Sequence, residues 1–104
     1  MPLVDVCALT ELPPGSMKLV EWEDLEVAVF NCDGALLAIE DRCSHDNGRL
    51  VQGELDMSRC AVECPRHGSW FDLRSGKPLN LPAYVPVDTF DVVVEDGVVR
   101  VDLD

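Results

Sequence analysis

The chain contains two histidines, and each follows a cysteine at short range. They lie in Cys43-Ser44-His45 and, after eighteen intervening residues, in Cys64-Pro65-Arg66-His67. Two thiolates and two imidazoles are enough for one four-ligand metal centre, which would commit this part of the chain to two loops meeting at one point. Two chemistries accept that donor set. A tetrahedral Zn²⁺ takes Cys₂His₂, and a [2Fe–2S] cluster can take two cysteines on one iron and two histidines on the other. Zinc fingers usually set a cysteine pair beside a histidine pair. Here each half supplies one of each, an alternation that suits two similar loops approaching a cluster from either side.

The segments around these loops read as strands and turns. Val4–Ala8, Met17–Trp22, Glu26–Cys32, Ala35–Glu40, Val85–Glu95 and Val98–Leu103 are rich in β-forming residues. Asp33-Gly34 and Asp96-Gly97 supply the positive φ that a tight hairpin needs. On the strand ending at Glu95, Phe90, Val92 and Val94 share a face with Asp88, while the opposite face is mostly polar, as where a sheet meets water. Single helical turns are expected at Thr10–Leu12 and Glu21–Leu25. The middle, Asp41 to Ala83, shows little periodicity and holds four of the seven glycines. It reads as an irregular functional insert, with Leu50, Val51, Leu55, Trp70, Phe71 and Leu73 arguing against disorder.

At 104 residues there is room for a single domain, residues 1–104, and 47% hydrophobic content suits a packed core. Twenty acidic residues against eight basic ones leave a net charge of −12. Phosphate should repel such a surface, which disfavours nucleic acid and anionic membranes and favours basic protein partners. The longest uniformly apolar run, Ala35–Ile39, is too short to span a membrane, and the N-terminus has no basic residue before Lys18. The expectation is a cytoplasmic chain. Its five cysteines are odd in number and cannot all pair with one another. In a reducing compartment Cys7, Cys32 and Cys60 are expected to pack in strands without a ligand role.

The two motifs and their neighbours resemble a known family. Cys43-Ser44-His45-Asp46-Asn47-Gly48-Arg49-Leu50 resembles the first cluster-binding loop of Rieske-type ferredoxins, and Cys64-Pro65-Arg66-His67-Gly68-Ser69-Trp70-Phe71-Asp72 the second. Ser75-Gly76-Lys77-Pro78 is similar to the usual continuation, and Leu81-Pro82-Ala83 to the proline loop over the cluster. Rieske proteins of quinol-oxidising complexes join their loops by a disulfide, and neither loop here has the extra cysteine.

The resemblance implies an all-β fold, an antiparallel β-sandwich or partial barrel with a cluster-binding subdomain inserted at about residues 41–83. It implies one [2Fe–2S] cluster per chain, held by Cys43, His45, Cys64 and His67, with Ser69, Phe71 and Pro82 around it. With two ferric ions, two sulfides and two thiolates the oxidised cluster is formally neutral, so reduction is easier than for an all-cysteine cluster. Ser69 could raise the potential through a bridging sulfide. Phe71 stands where high-potential relatives have a tyrosine hydroxyl, which points to the low end of the range. Four protein ligands leave no open coordination position, so the implied function is one-electron transfer rather than catalysis. The implied setting is a monomeric carrier between a flavin reductase and a non-haem iron oxygenase of the ring-hydroxylating type, both docking through basic patches. Alternatives are an accessory Rieske subunit, as in the small subunit of nitrite reductase or in iron–sulfur assembly, and, in another class, a structural zinc module.

Overall fold

The computed structural model of the chain describes residues 3–42, 49–66 and 68–103. Nine strands are present among them: β1 (Leu3–Ala8), β2 (Met17–Trp22), β3 (Leu25–Cys32), β4 (Ala35–Glu40), β5 (Leu55–Asp56), β6 (Ala61–Glu63), β7 (Trp70–Asp72), β8 (Thr89–Glu95) and β9 (Val98–Asp102). Six form an antiparallel sheet in the order β1-β9-β8-β4-β3-β2, and β5-β6-β7 form a second, smaller one. The large sheet curls until β1 and β2, its two edges, come into contact. Near-closure of this kind hides edge strands that would otherwise be open to pairing with other chains.

The hairpins follow the turn residues. Asp33-Gly34 (φ 51° and 98°) reverses β3 into β4, and Asp96-Gly97 (φ 52° and 76°) reverses β8 into β9. Both pairs take the left-handed conformations that a two-residue reversal between right-twisted strands requires. The turn expected at Glu21–Leu25 is not helical. Trp22 pairs with Leu25 across a third tight reversal, and Glu23 has φ 55°. The β-branched and aromatic side chains on either side have cross-strand partners, which a helical turn could not supply. The helical turn near Thr10 is a 3-10 turn at Leu9–Glu11, after which Leu12 is fully buried. The strand read from Val85 begins only at Thr89; Pro86, within the excluded part, has no N–H for a ladder.

Two cores share one wall. Val27 and Val29 of β3 join Leu12, Val20, Ala38, Val99 and Val101 inside the curled sheet. Ala28 and Phe30, on the opposite face of β3, join Ile39, Leu50, Val62, Cys64, Phe71, Leu73, Ala83 and Val87, which bind the small sheet to the large one. A strand buried on both faces must be apolar at consecutive positions, and Val27-Ala28-Val29-Phe30 is. The buried Asn31 that ends this run is satisfied: its amide donates to the Leu12 carbonyl (2.7 Å) and its oxygen accepts from the Gly34 N–H (2.7 Å).

Two expectations for the middle of the chain need correction. The insert is not irregular throughout, since it contains β5, β6 and β7. Strands of two and three residues are too short for alternation to register in a sequence. Cys32 and Cys60 do not simply pack. They form a disulfide with Cα atoms 5.6 Å apart, and Cys60 lies in the turn before β6 with φ 50°, not in a strand. Their separation of 28 residues hides the pairing, because only the docking of the small sheet on the end of β3 brings them together. Cys7 is half-buried on β1 beside the inner core, and burial raises its thiol pKa above the ordinary value.

Closing a loop of 28 residues restricts the unfolded chain by about 3–4 kcal/mol in the loop-entropy description. Cys32→Ser with Cys60→Ser should lower unfolding stability by up to about that amount in urea, and in the unfolded, non-reduced parent three of the five cysteines should alkylate. A second outcome concerns the turn into Cys60. There the Asp56 carboxylate accepts from the Ser58 hydroxyl (2.7 Å) and Arg59 Nε (2.8 Å), which hold its pKa down at about 2 against an ordinary 3.8. A depressed folded-state pKa stabilises above the unfolded value and the gain is lost as pH falls through the folded one. The stability difference between the parent and Asp56→Asn should therefore be constant above about pH 5 and shrink toward pH 2, as read by denaturation across pH.

Candidate metal centre

Cys64, the first residue of the second cysteine–histidine motif, opens the loop between β6 and β7. Glu63 pairs with Trp70 at its base. Beyond that pair the Cys64 N–H donates to the Ser69 carbonyl (2.7 Å) and the Gly68 N–H to the Cys64 carbonyl (3.1 Å). The loop is thus closed by its own backbone, with Gly68 at φ 81° making a turn that L-residues rarely adopt. Cys64 and Ser69 point into the protein and are fully buried, while Pro65 and Arg66 are exposed. Cys64 shares its apolar surroundings with Leu50, Val62 and Phe71. A buried sulfur among apolar side chains fits a soft, thiolate-bound iron centre better than a hydrated hard cation.

The proline loop is held against this turn by two side chains. Ser69 Oγ accepts from the Ala83 N–H at 3.0 Å. Asn80 uses both ends of its amide: Oδ1 accepts from the Trp70 N–H (2.7 Å), and Nδ2 donates to the Gly68 carbonyl (3.1 Å) and the Leu81 carbonyl (3.3 Å). Pro82 is half-buried between Leu81, which is 76% exposed, and the buried Ala83. Leu79, Tyr84 and Val85 are also exposed, so an apolar rim surrounds the proline loop. Phe71 is completely buried and bridges to Pro78. The Arg59 guanidinium lies 4.7 Å over the Trp70 ring.

Cys64, Ser69, Phe71 and Pro82 are therefore brought into one region. Cys43, His45 and His67 lie outside the described residues. Two contributors were not anticipated from sequence. Asn80 carries no motif, since an asparagine beside a Leu-Pro pair signals only a turn. Asp41, at the end of β4, is the other. Its side chain is fully buried. Oδ1 accepts from the Val51 N–H at 2.6 Å, and Oδ2 has no hydrogen-bond partner among the described residues but faces Arg49 Nε at 3.5 Å. Burial pushes its carboxyl above the ordinary value, against the pull of the Val51 amide and the Arg49 charge.

Ser69→Ala would leave the buried Ala83 N–H without its acceptor. A loss of about 1–3 kcal/mol is expected in denaturant unfolding, together with faster hydrogen exchange at Ala83.

Comparison with known proteins places this geometry. Residues 3–91 match the Rieske [2Fe-2S] domain. The 3-phenylpropionate/cinnamic acid dioxygenase ferredoxin subunit of Photorhabdus laumondii subsp. laumondii is 46% identical over 92 residues, covering 88% of this chain and 86% of that protein. The ferredoxin of carbazole 1,9a-dioxygenase from Nocardioides aromaticivorans IC177 superposes with a TM-score of 0.93 at 33% identity, over 100% of both chains. A complex of reduced oxygenase and oxidised ferredoxin in carbazole 1,9a-dioxygenase matches with a TM-score of 0.89 at 34% identity, over 95% of this chain and 91% of that one.

Proposed function

Because the chain belongs to the Rieske [2Fe-2S] family, we propose that it is a one-electron carrier that takes electrons from a flavin reductase and passes them to a non-haem iron oxygenase of the ring-hydroxylating type. The observation that carries this reading is full-length similarity to stand-alone ferredoxins of dioxygenase systems, across 100% of both chains in one case. It extends to a ferredoxin matched in a complex with its oxygenase. The zinc alternative gives way to the family's [2Fe–2S] cluster.

In this reading Cys43, His45, Cys64 and His67 would hold the [2Fe–2S] cluster, within a single domain whose cluster-binding part is about residues 41–83. The bound cluster supplies a one-electron couple in the range of about −150 to +300 mV. The protein's part is to hold the donors still and to exclude water. The Cys64 turn is locked by its own backbone bonds, and Ser69 and Asn80 fasten the proline loop beside it. A Cys64 position held this firmly reduces the rearrangement that accompanies a change of charge. Phe71, with no hydroxyl to offer a thiolate, keeps the potential near the low end of that range, while Ser69 pulls it upward. With four protein ligands the centre has no position for substrate, and the chain acts as a carrier rather than an enzyme.

Docking combines two features. The exposed rim of Leu79, Leu81, Tyr84 and Val85 offers an apolar contact surface for the small, transient encounters of electron transfer. The net charge of −12 steers the chain toward basic patches on the reductase and oxygenase.

The test is a redox titration of anaerobically purified protein, followed by visible absorption and accompanied by iron and acid-labile sulfide analysis. A red-brown protein with a midpoint in the lower half of the range above, nearly independent of pH around neutrality, is the expected result. Reduction by the reductase should slow as salt is raised. A colourless protein containing zinc, or a high midpoint falling with pH near neutral, would overturn the proposal.

A further inference from the structure

The segment that carries Cys43 and His45 leaves the large sheet at the end of β4 and returns at Arg49–Val51, so its geometry depends on how that neck is closed. Three attachments close it. The Asp41 N–H donates to the Glu26 carbonyl on β3 at 2.8 Å. The Asp41 carboxylate crosses to the returning segment, accepting from the Val51 N–H at 2.6 Å and facing Arg49 at 3.5 Å. Arg49 Nη2 in turn donates to the Glu26 carboxylate at 2.6 Å. The returning residues form a 3-10 turn at Leu50–Gln52, and Leu50 is fully buried in the same core as Cys64. Gly53 ends that turn in close backbone contact with β6, where any Cβ would overlap the Glu63 carbonyl.

We propose that Asp41 is the positioning residue of the first cluster-binding loop. Its carboxylate ties residue 41 to residues 49–51, which sets the distance between the two points that bracket the segment carrying Cys43 and His45. The proposal rests on the reading that Cys43 and His45 are ligands. The cleft around Asp41, about 270 Å³ and lined also by Asp24, Glu26, Glu40, Arg42 and Arg49, is mixed in charge. Among the described residues no three such donors converge on a metal ion. Arg49 already lies between the Glu26 and Asp41 carboxylates. The buried carboxylate therefore acts on the loop it brackets and not on a separate ligand. A fully buried carboxylate without its partners is costly, which couples Asp41 and Arg49 to each other and both to the loop.

The experiment compares holoproteins of the parent, Asp41→Ala, Asp41→Asn, Glu26→Gln and, as a control, Glu95→Gln, whose carboxylate belongs to an exposed pair with Arg100. Cluster loss to excess EDTA is followed by visible absorption, and the dithionite-reduced protein by EPR, which a purely structural weakening of the sheet would not move. Residues supporting metal ligands typically change affinity by about 10- to 100-fold, and loss from Asp41→Ala should accelerate by a factor in that range. Asp41→Asn, which keeps the acceptor for Val51 but not the charge facing Arg49, and Glu26→Gln should fall between it and the parent, each with an altered g anisotropy. Should Asp41→Ala not fold, the other two variants decide the matter. Release rates and EPR spectra for them indistinguishable from those of Glu95→Gln would overturn the proposal. Cys43→Ala and His45→Ala separate it from the ligand reading. If either retains the parental spectrum, the ligand reading fails. If both lose it while the Asp41 and Glu26 variants match the control, the positioning role alone fails.

Discussion

The structure depends on one strand being buried on both faces. β3 sends Val27 and Val29 into the curled sheet and Ala28 and Phe30 toward the small sheet, so the two cores are two sides of one wall. Burial of apolar area at about 25 cal/mol per Å² stabilises each side separately, but only together do they fix the small sheet relative to the large one. The strand's neighbours adapt to it. Ile39 of β4 joins the outer core while Ala38 joins the inner one, which continues the partition into the strand that leads to the first cysteine–histidine motif.

The outer core is where folding and the metal centre meet. Cys64 is at once a ligand candidate and a member of that core, beside Leu50, Phe71 and Ala83. Metal binding and folding are coupled in such an arrangement: the loop that presents the thiol is positioned by the side chains that bury it. The Cys32–Cys60 disulfide adds a covalent tie between the end of β3 and the turn entering β6. The small sheet, only three short strands, is thereby held by apolar contact on one face and by a cross-link at its edge. A sheet of that size is marginal without such help.

Function draws on the same economy of structure. Ser69 and Asn80 join the second loop to the proline loop through hydrogen bonds between residues ten to fourteen positions apart, while Leu79, Leu81, Tyr84 and Val85 outside that junction are exposed. A rigid interior edge and an apolar outer rim are compatible with brief docking and release. The surplus of negative charge acts at longer range, within the Debye length of the medium.

Much of this was legible in the chain because it depends on local chemistry. Six strands of the large sheet follow from β-forming residues between hairpin turns, and Asp33-Gly34 and Asp96-Gly97 reverse the chain where only positive φ will serve. Cys64, Ser69 and Phe71 could be picked out because they stand in one short motif at the tip and side of a hairpin. Other features have no local signature. Strands of two or three residues are stable only because β6 has a partner on each side, and Cys32 meets Cys60 only after two sheets dock. Asn80 becomes a bridge only when the proline loop lies against the β6–β7 turn, and Asp41 becomes a buried clamp only when Arg49 and Val51 return beside it. Donor identity and turn geometry are properties of neighbouring residues, which the amino-acid sequence by itself determines. The pairing of distant backbone and side-chain groups depends on which surfaces bury one another, and that is decided only when the tertiary structure forms.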